Sequence, residues 1–421
     1  MIALADCNTF FASVEKVFHP GLKGKPVCVL SSNDGNIVAL TAEAKALGIR
    51  RGDPLFQVKE TVEKNHVAIF SGNLVLYNAM SRRVQGIMRQ FVERTEAYSI
   101  DEQFLYLDGY ERNFDLVGRM REMVETIRLW TDIPVSVGIA PSKTLAKVAS
   151  KFAKKYSGYR SVCIIDSESK RRKALEIFEL DDVWGLGRRS CEKLRALGVH
   201  NPLEFADKTG SWVERHFHKP GYQTWLELNG HPCIDTEEIA RRERICTSRS
   251  FGTMVSTREE LRESVASFAA SCANTLRSQG SCAGAVSVFV MSNRFREDLP
   301  QYANFGTVFL PVPSADTLEI TRAALEIADS IYRPGIQFKK SGVVLSRMSH
   351  GVVQPILFDS IDNREEREQL SRTIDSLNHR FGLKAVKLAA EGDDAVRWKV
   401  KSGFRTPDYL TNINELMTIN I

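Results

Sequence analysis

Apolar residues recur along the chain with the periods of strands and helices, and they divide residues 1–170 into a regular series of elements. The pattern predicts strands at 2–6, 26–31, 135–139 and 161–166, a hairpin at 96–108, and helices at 10–18, 75–92, 114–130 and 143–155. Apart from an insertion after the second strand, this order places β-α-β elements around a hairpin, as in ferredoxin-like sheets. The first strand of such a sheet normally lies centrally, beside a strand of the hairpin.

A second unit with a similar order follows later in the chain. The pattern there predicts strands at 249–254, 285–291, 307–310 and 341–347 and helices at 258–278 and 316–332. This is a complete βαββαβ order. A helical segment punctuated by glycine, at about 171–240, separates the two units, and after residue 348 the sequence becomes polar and only partly periodic. We therefore predict an α+β multidomain protein.

Composition is that of a globular protein, with 43% hydrophobic and 26% charged residues in a chain of 421. No apolar run approaches the ~20 residues that a membrane-spanning helix needs. The first residues lack a basic segment, and Asp6 interrupts their apolar stretch, so we expect no signal peptide. The eight cysteines form no Cys-x-x-Cys pair, which is typical of reduced thiols. These features predict a cytoplasmic protein with no membrane partner.

The net charge of +5 is unevenly distributed. Residues 141–200 hold 14 Lys/Arg against 7 Asp/Glu, a local charge of +7. Such a band is either a solvated helix face or a surface that binds a polyanion. Charge alone leaves both interpretations open.

Three acidic residues end or interrupt predicted strands. Asp6 ends the first strand, and Asp101 and Glu102 lie at the turn-proximal end of a hairpin strand. A central first strand would bring Asp6 beside Asp101. Three carboxylates at one sheet edge repel one another, and Mg²⁺ is a natural compensation because it prefers oxygen ligands. Taken singly, each acid has an ordinary explanation: Asp6 or Asn8 can cap a helix, and an Asp-Glu pair is often a solvated turn.

Three segments, taken together, favour a functional role for these acids over the ordinary explanations. They are ALADCNTFFASVE (3–15), YSIDEQFL (98–105) and VGIAPSKTLAKVASKFAK (137–154). They resemble the three signature blocks of Y-family, translesion DNA polymerases, and their order, spacing and flanking residues agree over residues 1–350. The UmuC-type members of that family are the most similar, and the similarity extends to the C-terminus.

The resemblance implies a right-hand polymerase. Its parts would be a ferredoxin-like palm at 1–170 with small fingers inserted at about 20–75, a helical thumb with a helix-hairpin-helix at 171–240, a βαββαβ little finger at 241–348, and a C-terminal tail at 349–421. The implied activity is error-prone, template-directed DNA synthesis past lesions, as in the SOS response, by nucleotidyl transfer with two metal ions. The implied substrates are primer-template DNA and deoxynucleoside triphosphates (dNTPs).

The resemblance also implies roles for individual residues. Asp6, Asp101 and Glu102 would be catalytic and would hold two Mg²⁺ ions together with the carbonyl of Cys7. The implied nucleotide-binding residues are Phe10, Phe11, Lys45 and Lys154. Phe11 would be the gate that excludes a 2′-hydroxyl, at a position where UmuC-type members usually have tyrosine. Lys45 stands where many family members have arginine, and the alternative for it is an ordinary lysine on a surface helix.

Two basic segments are candidates for DNA binding. Gly185 and Gly187 flank Leu186 in a Gly-Leu-Gly turn, and Arg188 and Arg189 follow directly. Backbone N–H groups of such a turn can approach a phosphate, although an ordinary helix–helix turn has the same pattern. In the second unit, Arg249 is the preferred phosphate contact, with a basic linker that touches no DNA as the alternative.

The segment Gln354-Pro-Ile-Leu-Phe358 follows the second unit. Alone it predicts a small packed strand, but after a Y-family core it resembles a sliding-clamp-binding peptide with Gln354, Leu357 and Phe358 as its contacts. The tail at 359–421 resembles that of UmuC-type polymerases, which implies contacts with a processed UmuD dimer and the RecA filament. The protein would then act at the nucleoid.

Two rival functions remain open from the sequence. A nucleotidyl cyclase has a similar palm with metal-binding carboxylates, but it has no use for the Gly-Leu-Gly turn, a second basic domain or a clamp peptide. A DNA-damage scaffold with a retired active site would not need all three acids.

Overall fold

The computed structural model describes residues 1–31, 34–235, 242–350, 359, 361, 363–382, 385–393 and 398–417. Its contacts group the chain into two compact units, Met1–Ile239 with Gly403–Ile421 and Ala240–Ser402. The four-part division inferred from the sequence stays a prediction. The α+β class is confirmed, and no helix of the described residues is long and apolar enough to cross a membrane.

The first unit contains eight strands and ten α-helices in its described residues. In chain order they are β1 (Ile2–Cys7), α1 (Phe10–Phe18), β2 (Val27–Leu30), β3 (Ile37–Leu40), α2 (Ala42–Ala46), α3 (Leu55–Lys64), β4 (Ala68–Ser71), α4 (Leu74–Phe91), β5 (Thr95–Ala97), β6 (Glu102–Tyr106), α5 (Leu116–Thr131), β7 (Val135–Ala140), α6 (Lys143–Lys155), β8 (Val162–Ile164), α7 (Glu168–Ile177), α8 (Arg188–Ala196), α9 (Pro202–Ala206) and α10 (Gly210–Leu228).

The larger sheet has the order β5-β6-β1-β7-β8, so β1 is central and pairs antiparallel with both β6 and β7. The expected position of the first strand beside the hairpin is confirmed. Both faces of β1 are buried: Ala3 and Ala5 belong to the core that α1, α4 and α5 complete, and Ile2 and Leu4 to the core that includes α6. This double burial explains the continuous apolar run before Asp6.

The insertion forms a smaller sheet of order β3-β2-β4, in which β2 and β4 are parallel. Its core includes Cys28, Leu30 and Ile37, and α2 and α3 pack near it. One edge of this sheet is β4, and its last residue, Ser71, forms a parallel bridge with Arg405 near the end of the chain.

The second unit contains β9 (Ile245–Val255), α11 (Arg258–Ser278), β10 (Ser281–Ser292), β11 (Ala303–Ser314), α12 (Thr317–Ile331), β12 (Phe338–His350) and α13 (Arg364–Phe381). Its sheet has the order β11-β10-β12-β9, and α11 and α12 pack against it, so the predicted βαββαβ order is present. The strands are longer than predicted. The aromatic residues Phe305 and Phe309 of β11 are exposed, so apolar side chains lie on both faces of this strand and its alternation is weak.

The sequence pattern did not predict α13. Ser371 is its one buried residue, so α13 contributes no large apolar side chain to the core. Ion pairs attach it to the rest of the unit instead, between Arg277 and Asp375 at 2.7 Å and between Arg367 and Asp316 at 2.6 Å. These pairs join residues far apart in sequence, which a local pattern does not reveal.

Candidate active site

The three acids meet at one edge of the larger sheet. Asp6 in β1 lies directly opposite Glu102 in β6, and the amide of Cys7 donates to the carbonyl of Asp101 at 2.9 Å. Asp101 lies in a bend just before β6 begins, so the strict alternation of a strand does not apply to it. The three acidic residues are therefore neighbours along the main chain at this edge, as predicted.

A serine fixes the bend that carries Asp101. The hydroxyl of Ser99 donates to Oδ1 of Asp101 at 2.5 Å, and the Ser99 hydroxyl oxygen accepts from the amides of Asp101 and Glu102 at 3.2 and 3.0 Å. This local network holds the Asp101 side chain at a defined position before any ligand arrives.

Two lysines of α6 neutralise the acids. Nζ of Lys154 lies 2.5 Å from Oδ2 of Asp6, and Nζ of Lys147 lies 2.6 Å from Oε1 of Glu102. Burial raises the pKa of Asp6 to about 6, although Lys154 lowers it, and the charges of Glu102 and Asp101 add to the rise. The edge is thus an anionic cluster that requires positive charge close by.

The donor chemistry fits a hard divalent cation, because all three side chains offer carboxylate oxygens. Burial raises the pKa of the Cys7 thiol far above its usual range, so this thiol is neutral in the absence of a cation, and the backbone carbonyl of Cys7 is the oxygen donor there. Within the described ranges no three acidic, histidine or cysteine side chains converge as a ready metal site. The ammonium groups of Lys147 and Lys154 supply the positive charge in this arrangement.

The two phenylalanines after β1 have different environments. Phe10 is 3% exposed and belongs to the core, whereas Phe11 is half-buried and lines the cleft above the acids. Phe11 also stacks on Tyr77 of α4, with ring centroids 4.5 Å apart and planes 18° apart. The alternative that Asp6 or Asn8 caps α1 is wrong, because Thr9 precedes the helix and no side chain caps it.

The cleft has a volume of about 780 Å³ and lies between the edge of the larger sheet and the segment that is inserted after the second predicted strand. Among its lining residues are Asp6, Cys7, Phe10, Phe11, Val38, Leu40, Lys45, Arg51, Asp101, Glu102 and Lys154. The structure therefore brings together all of the residues for which the sequence predicted a metal-binding or nucleotide-binding role. The roles themselves stay predictions.

Sequence reasoning missed three residues of this region. Arg51 adds a second cation beside Lys45 in the cleft, and the Arg-Arg pair at 50–51 was an available signal. Lys147 pairs with Glu102, and its spacing from Lys154 by two helical turns was visible in the sequence. Tyr77 is a buried aromatic residue of an amphipathic helix, and nothing in the sequence marks it as the support of Phe11.

The Gly-Leu-Gly turn precedes α8. Gly185 has φ +92°, and a Cβ there would collide with the Thr224 hydroxyl, so glycine is required. Leu186 is buried, and Gly187 leads directly into the helix, where Arg188 and Arg189 are exposed. The preceding Trp184 donates from Nε1 to the hydroxyl of Tyr98 at 3.0 Å, which attaches the turn to the strand region near Glu102.

Much of the positive band at 141–200 is paired within the protein. Each of the four α6 lysines that face the sheet and the Gly-Leu-Gly region binds a carboxylate, in the pairs Lys143–Glu96, Lys147–Glu102, Lys151–Asp182 and Lys154–Asp6. The band is therefore not a bare polyanion-binding surface, although Arg188 and Arg189 at the start of α8 are exposed.

The remaining predicted contacts lie elsewhere. Arg249 is exposed in β9 of the second unit, at an edge of that sheet. The segment 354–358, with the predicted clamp contacts Gln354, Leu357 and Phe358, lies outside the described residues.

Three family matches cover most of the chain. The impB/mucB/samB family matches residues 5–151, and the impB/mucB/samB family C-terminal domain matches residues 242–357. A domain of unknown function (DUF4113) matches residues 368–419. The first match includes all three acids, Phe11, Lys45 and most of the blocks that resemble Y-family polymerases.

Similar curated proteins align over nearly the whole chain. Protein UmuC of Salmonella typhimurium is 39% identical over 422 residues and covers 100% of both chains. Protein ImpB of Salmonella typhimurium is 36% identical, with 99% of both chains covered. DNA polymerase IV 1 of Bacillus subtilis is 24% identical, with 91% of both covered.

Solved structures agree with the fold. A Y-family DNA polymerase chimera, Dbh-Dpo4-Dbh, superimposes with a TM-score of 0.64 at 21% identity, covering 83% of this chain and 100% of that one. An insertion ternary complex of Dbh DNA polymerase gives a TM-score of 0.52 at 20% identity with the same coverage. At these identities the likeness establishes the fold.

Proposed function

The chain belongs to the impB/mucB/samB family, and from this premise we propose that it is a Y-family DNA-directed DNA polymerase that inserts nucleotides opposite damaged template bases. One observation carries the proposal. Asp6, Asp101 and Glu102 lie together at the floor of a cleft that is also lined by an aromatic ring, Phe11, and by cations from the fingers segment.

The acids are proposed to hold divalent metal ions, which Y-family enzymes generally need. Two Mg²⁺ ions on Asp6, Asp101, Glu102 and the Cys7 carbonyl would lower the pKa of the primer 3′-hydroxyl and neutralise charge on the leaving pyrophosphate. The Ser99 hydroxyl orients Asp101 for this purpose. The raised pKa of Asp6 implies that the cluster binds cations more strongly as the pH rises toward about 6, and that the affinity levels off above this pH.

The cleft is proposed to bind the nucleotide by its sugar and its phosphates. The ring of Phe11, supported from behind by Tyr77, would contact the deoxyribose and leave no room for a 2′-hydroxyl. Lys45 and Arg51 face the same cleft and would bind phosphate oxygens, together with Lys154 beside Asp6. Lysine binds phosphate as a point charge, whereas the fork of an arginine fixes its orientation.

The remaining parts are proposed to hold the DNA and the partners. The amides of the Gly-Leu-Gly turn, with Arg188 and Arg189, would bind the DNA backbone without reading its sequence. Arg249 would bind a phosphate in the second unit. The segment 354–358 would bind the sliding clamp, and the tail would contact processed UmuD and the RecA filament. We accordingly place its action at the nucleoid.

The proposal is tested by primer extension on damaged and undamaged templates with dNTPs and Mg²⁺. RecA filament and processed UmuD are included, because a UmuC-type chain is expected to need them. Asp101→Ala should abolish extension, and Asp108→Ala is the matched control, since Asp108 follows the far end of β6, is exposed and pairs with the N-terminal amine. Wild-type protein that binds DNA but does not extend a primer would favour the scaffold function instead.

A further inference from the structure

The end of the chain pairs with the edge strand of the fingers sheet. Ser71 forms a parallel bridge with Arg405, its amide donates to the carbonyl of Phe404 at 3.0 Å, and its hydroxyl accepts from the amide of Phe404 at 2.9 Å. Nearby, the amide of Gly403 donates to the Asp34 carboxylate at 2.8 Å. Residues 403–410, here called the C-terminal strap, are thus held by main-chain contacts.

Two further contacts fix the strap against α4 and α1. Asn73, which is fully buried, caps α4 with its Oδ1, and its Nδ2 donates to the carbonyl of Thr406 and to Oδ1 of Asp408, each at 2.9 Å. The ring of Tyr409 stacks on Phe18 with centroids 5.0 Å apart. The strap therefore occupies one defined position on the unit that contains the cleft.

The strap reaches a buried acid behind the cleft. The Thr406 hydroxyl donates to Oε1 of Glu15 at 3.2 Å, and the Tyr77 hydroxyl donates to the same oxygen at 2.6 Å. All three side chains are buried. A hydrogen bond to a carboxylate in such surroundings is strong, and an acid that loses one becomes costly to keep in place.

The same tyrosine supports the ring that faces the cleft, because Tyr77 stacks on Phe11. We propose that the C-terminal strap positions Phe11 through Thr406, Glu15 and Tyr77, and so sets how strictly the site excludes ribonucleotides. This inference rests on the proposed polymerase function and deepens it. It also gives a role to part of the segment that matches a domain of unknown function.

A steric gate distinguishes deoxyribonucleotides from ribonucleotides only if its ring is held in place and cannot move away from the sugar. Phe11 is half-buried, and on its inner side it contacts the Tyr77 ring. The Tyr77 hydroxyl is fixed by Glu15, whose position is shared with Thr406. Without the Thr406 hydroxyl, Glu15 and Tyr77 would be less restrained. The ring of Phe11 would then move aside and make room for a 2′-hydroxyl.

The test compares insertion of single deoxynucleotides and ribonucleotides by wild type, Thr406→Val, Thr406→Ser and Thr411→Val. Thr411 is exposed directly after the strap, so its variant is the matched control. Thr406→Val should lower the ratio of kcat/KM for dNTP over rNTP by roughly three- to tenfold, mainly through a lower KM for the ribonucleotide. Its kcat for dNTP should stay within about twofold of wild type, and Thr406→Ser should restore the ratio. An unchanged ratio in Thr406→Val would overturn the proposal while leaving the polymerase assignment intact.

A second measurement does not depend on catalysis. Amide hydrogen exchange in α1 and in the first turns of α4 should become faster in Thr406→Val and remain at the wild-type rate in Thr411→Val. Equal exchange in wild type and Thr406→Val would also overturn the proposal. If no variant or wild type extends DNA, the polymerase function fails, and the exchange data still decide whether the strap holds α1 and α4.

Discussion

Two carboxylate sites lie on opposite sides of Phe11, and they differ in their partners. Asp6 and Glu102 face a cleft and are neutralised by the ammonium groups of Lys154 and Lys147. Glu15 lies in the core and accepts only from the hydroxyls of Tyr77 and Thr406 among the side-chain contacts of the described residues. Burial raises the pKa of both Asp6 and Glu15. The lysine partners of Asp6 and Glu102 lie beside a cleft, so other cations can replace them. The hydroxyl partners of Glu15 are buried and cannot be replaced in this way.

The two sites are suited to different roles, one to the reaction and the other to holding the Phe11 ring in position. The open site, Asp6 and Glu102 at the cleft, has the ligands and the access that a reacting centre requires. The closed site, Glu15 with Tyr77 and Thr406, has the fixed geometry that a supporting contact requires. Phe11 stands between them, with one side toward the cleft and the other on Tyr77. Changes at the open site should therefore affect catalysis, and changes at the closed site should affect stability and selectivity.

The largest effect is expected for Asp6→Asn. It removes a negative charge from the open site, and with it a proposed metal ligand, so kcat for nucleotide insertion should fall by roughly 10³-fold or more. Single-turnover insertion measures this. Asp108→Asn, which changes an acid past the far end of β6, should insert at the wild-type rate, and a fully active Asp6→Asn would remove Asp6 from the reaction.

Phe11→Ala should have the next largest effect. The loss of the ring removes the proposed wall against a 2′-hydroxyl, so discrimination against ribonucleotides should fall by one to two orders of magnitude, or about 1.4 to 2.7 kcal/mol. Competition between dNTP and rNTP in primer extension measures it. Phe56→Ala, at an exposed fingers residue, serves as the control, and unchanged sugar selectivity in Phe11→Ala would remove the gate assignment.

Lys45→Ala tests the phosphate side of the open site. Loss of one cation in the cleft should raise KM for dNTP roughly three- to tenfold with a smaller change in kcat. Steady-state insertion measures both constants, and Lys64→Ala, an exposed lysine at the end of α3, is the matched control. If Lys45→Ala leaves KM unchanged, Lys45 is an ordinary surface lysine.

Glu15→Gln tests the closed site, and it is expected to have the smallest effect of these substitutions. The effect is a change in how stability depends on pH. Burial raises the pKa of Glu15 above 4.5, although the hydrogen bonds from Tyr77 and Thr406 oppose the rise, as does the nearby His19. Between the unfolded and folded pKa values, the folded protein holds a proton that the unfolded chain has lost. The contribution of Glu15 to the free energy of unfolding therefore falls as the pH rises through this window.

Denaturant unfolding between pH 4 and pH 7 measures this effect. Glu15→Gln should lose less stability than wild type as the pH rises, because glutamine keeps the acceptor oxygen without a titrating proton. Glu93→Gln, at an exposed acid, should follow the wild-type profile. Parallel profiles for wild type and Glu15→Gln would contradict a raised pKa at Glu15.

Local patterns predicted the elements that are built from regular apolar periodicity. The helices at 10–18, 143–155 and 258–278 agree with the structure, and a topological rule placed Asp6 beside the hairpin acids. The helix α13 was missed because ion pairs rather than apolar residues attach it. The contact between Thr406 and Glu15 joins residues 391 positions apart, and no periodicity or motif encodes such a pairing.

The central claim is that the open carboxylate site binds divalent cations. The most direct measurement is Mn²⁺ binding by electron paramagnetic resonance, with primer-template DNA and a non-hydrolysable dNTP analogue bound, because Mn²⁺ accepts the same oxygen ligands as Mg²⁺. We predict binding by wild type and by Asp108→Ala, and loss of that binding in Asp101→Ala. Equal Mn²⁺ binding by Asp101→Ala and wild type would contradict the account.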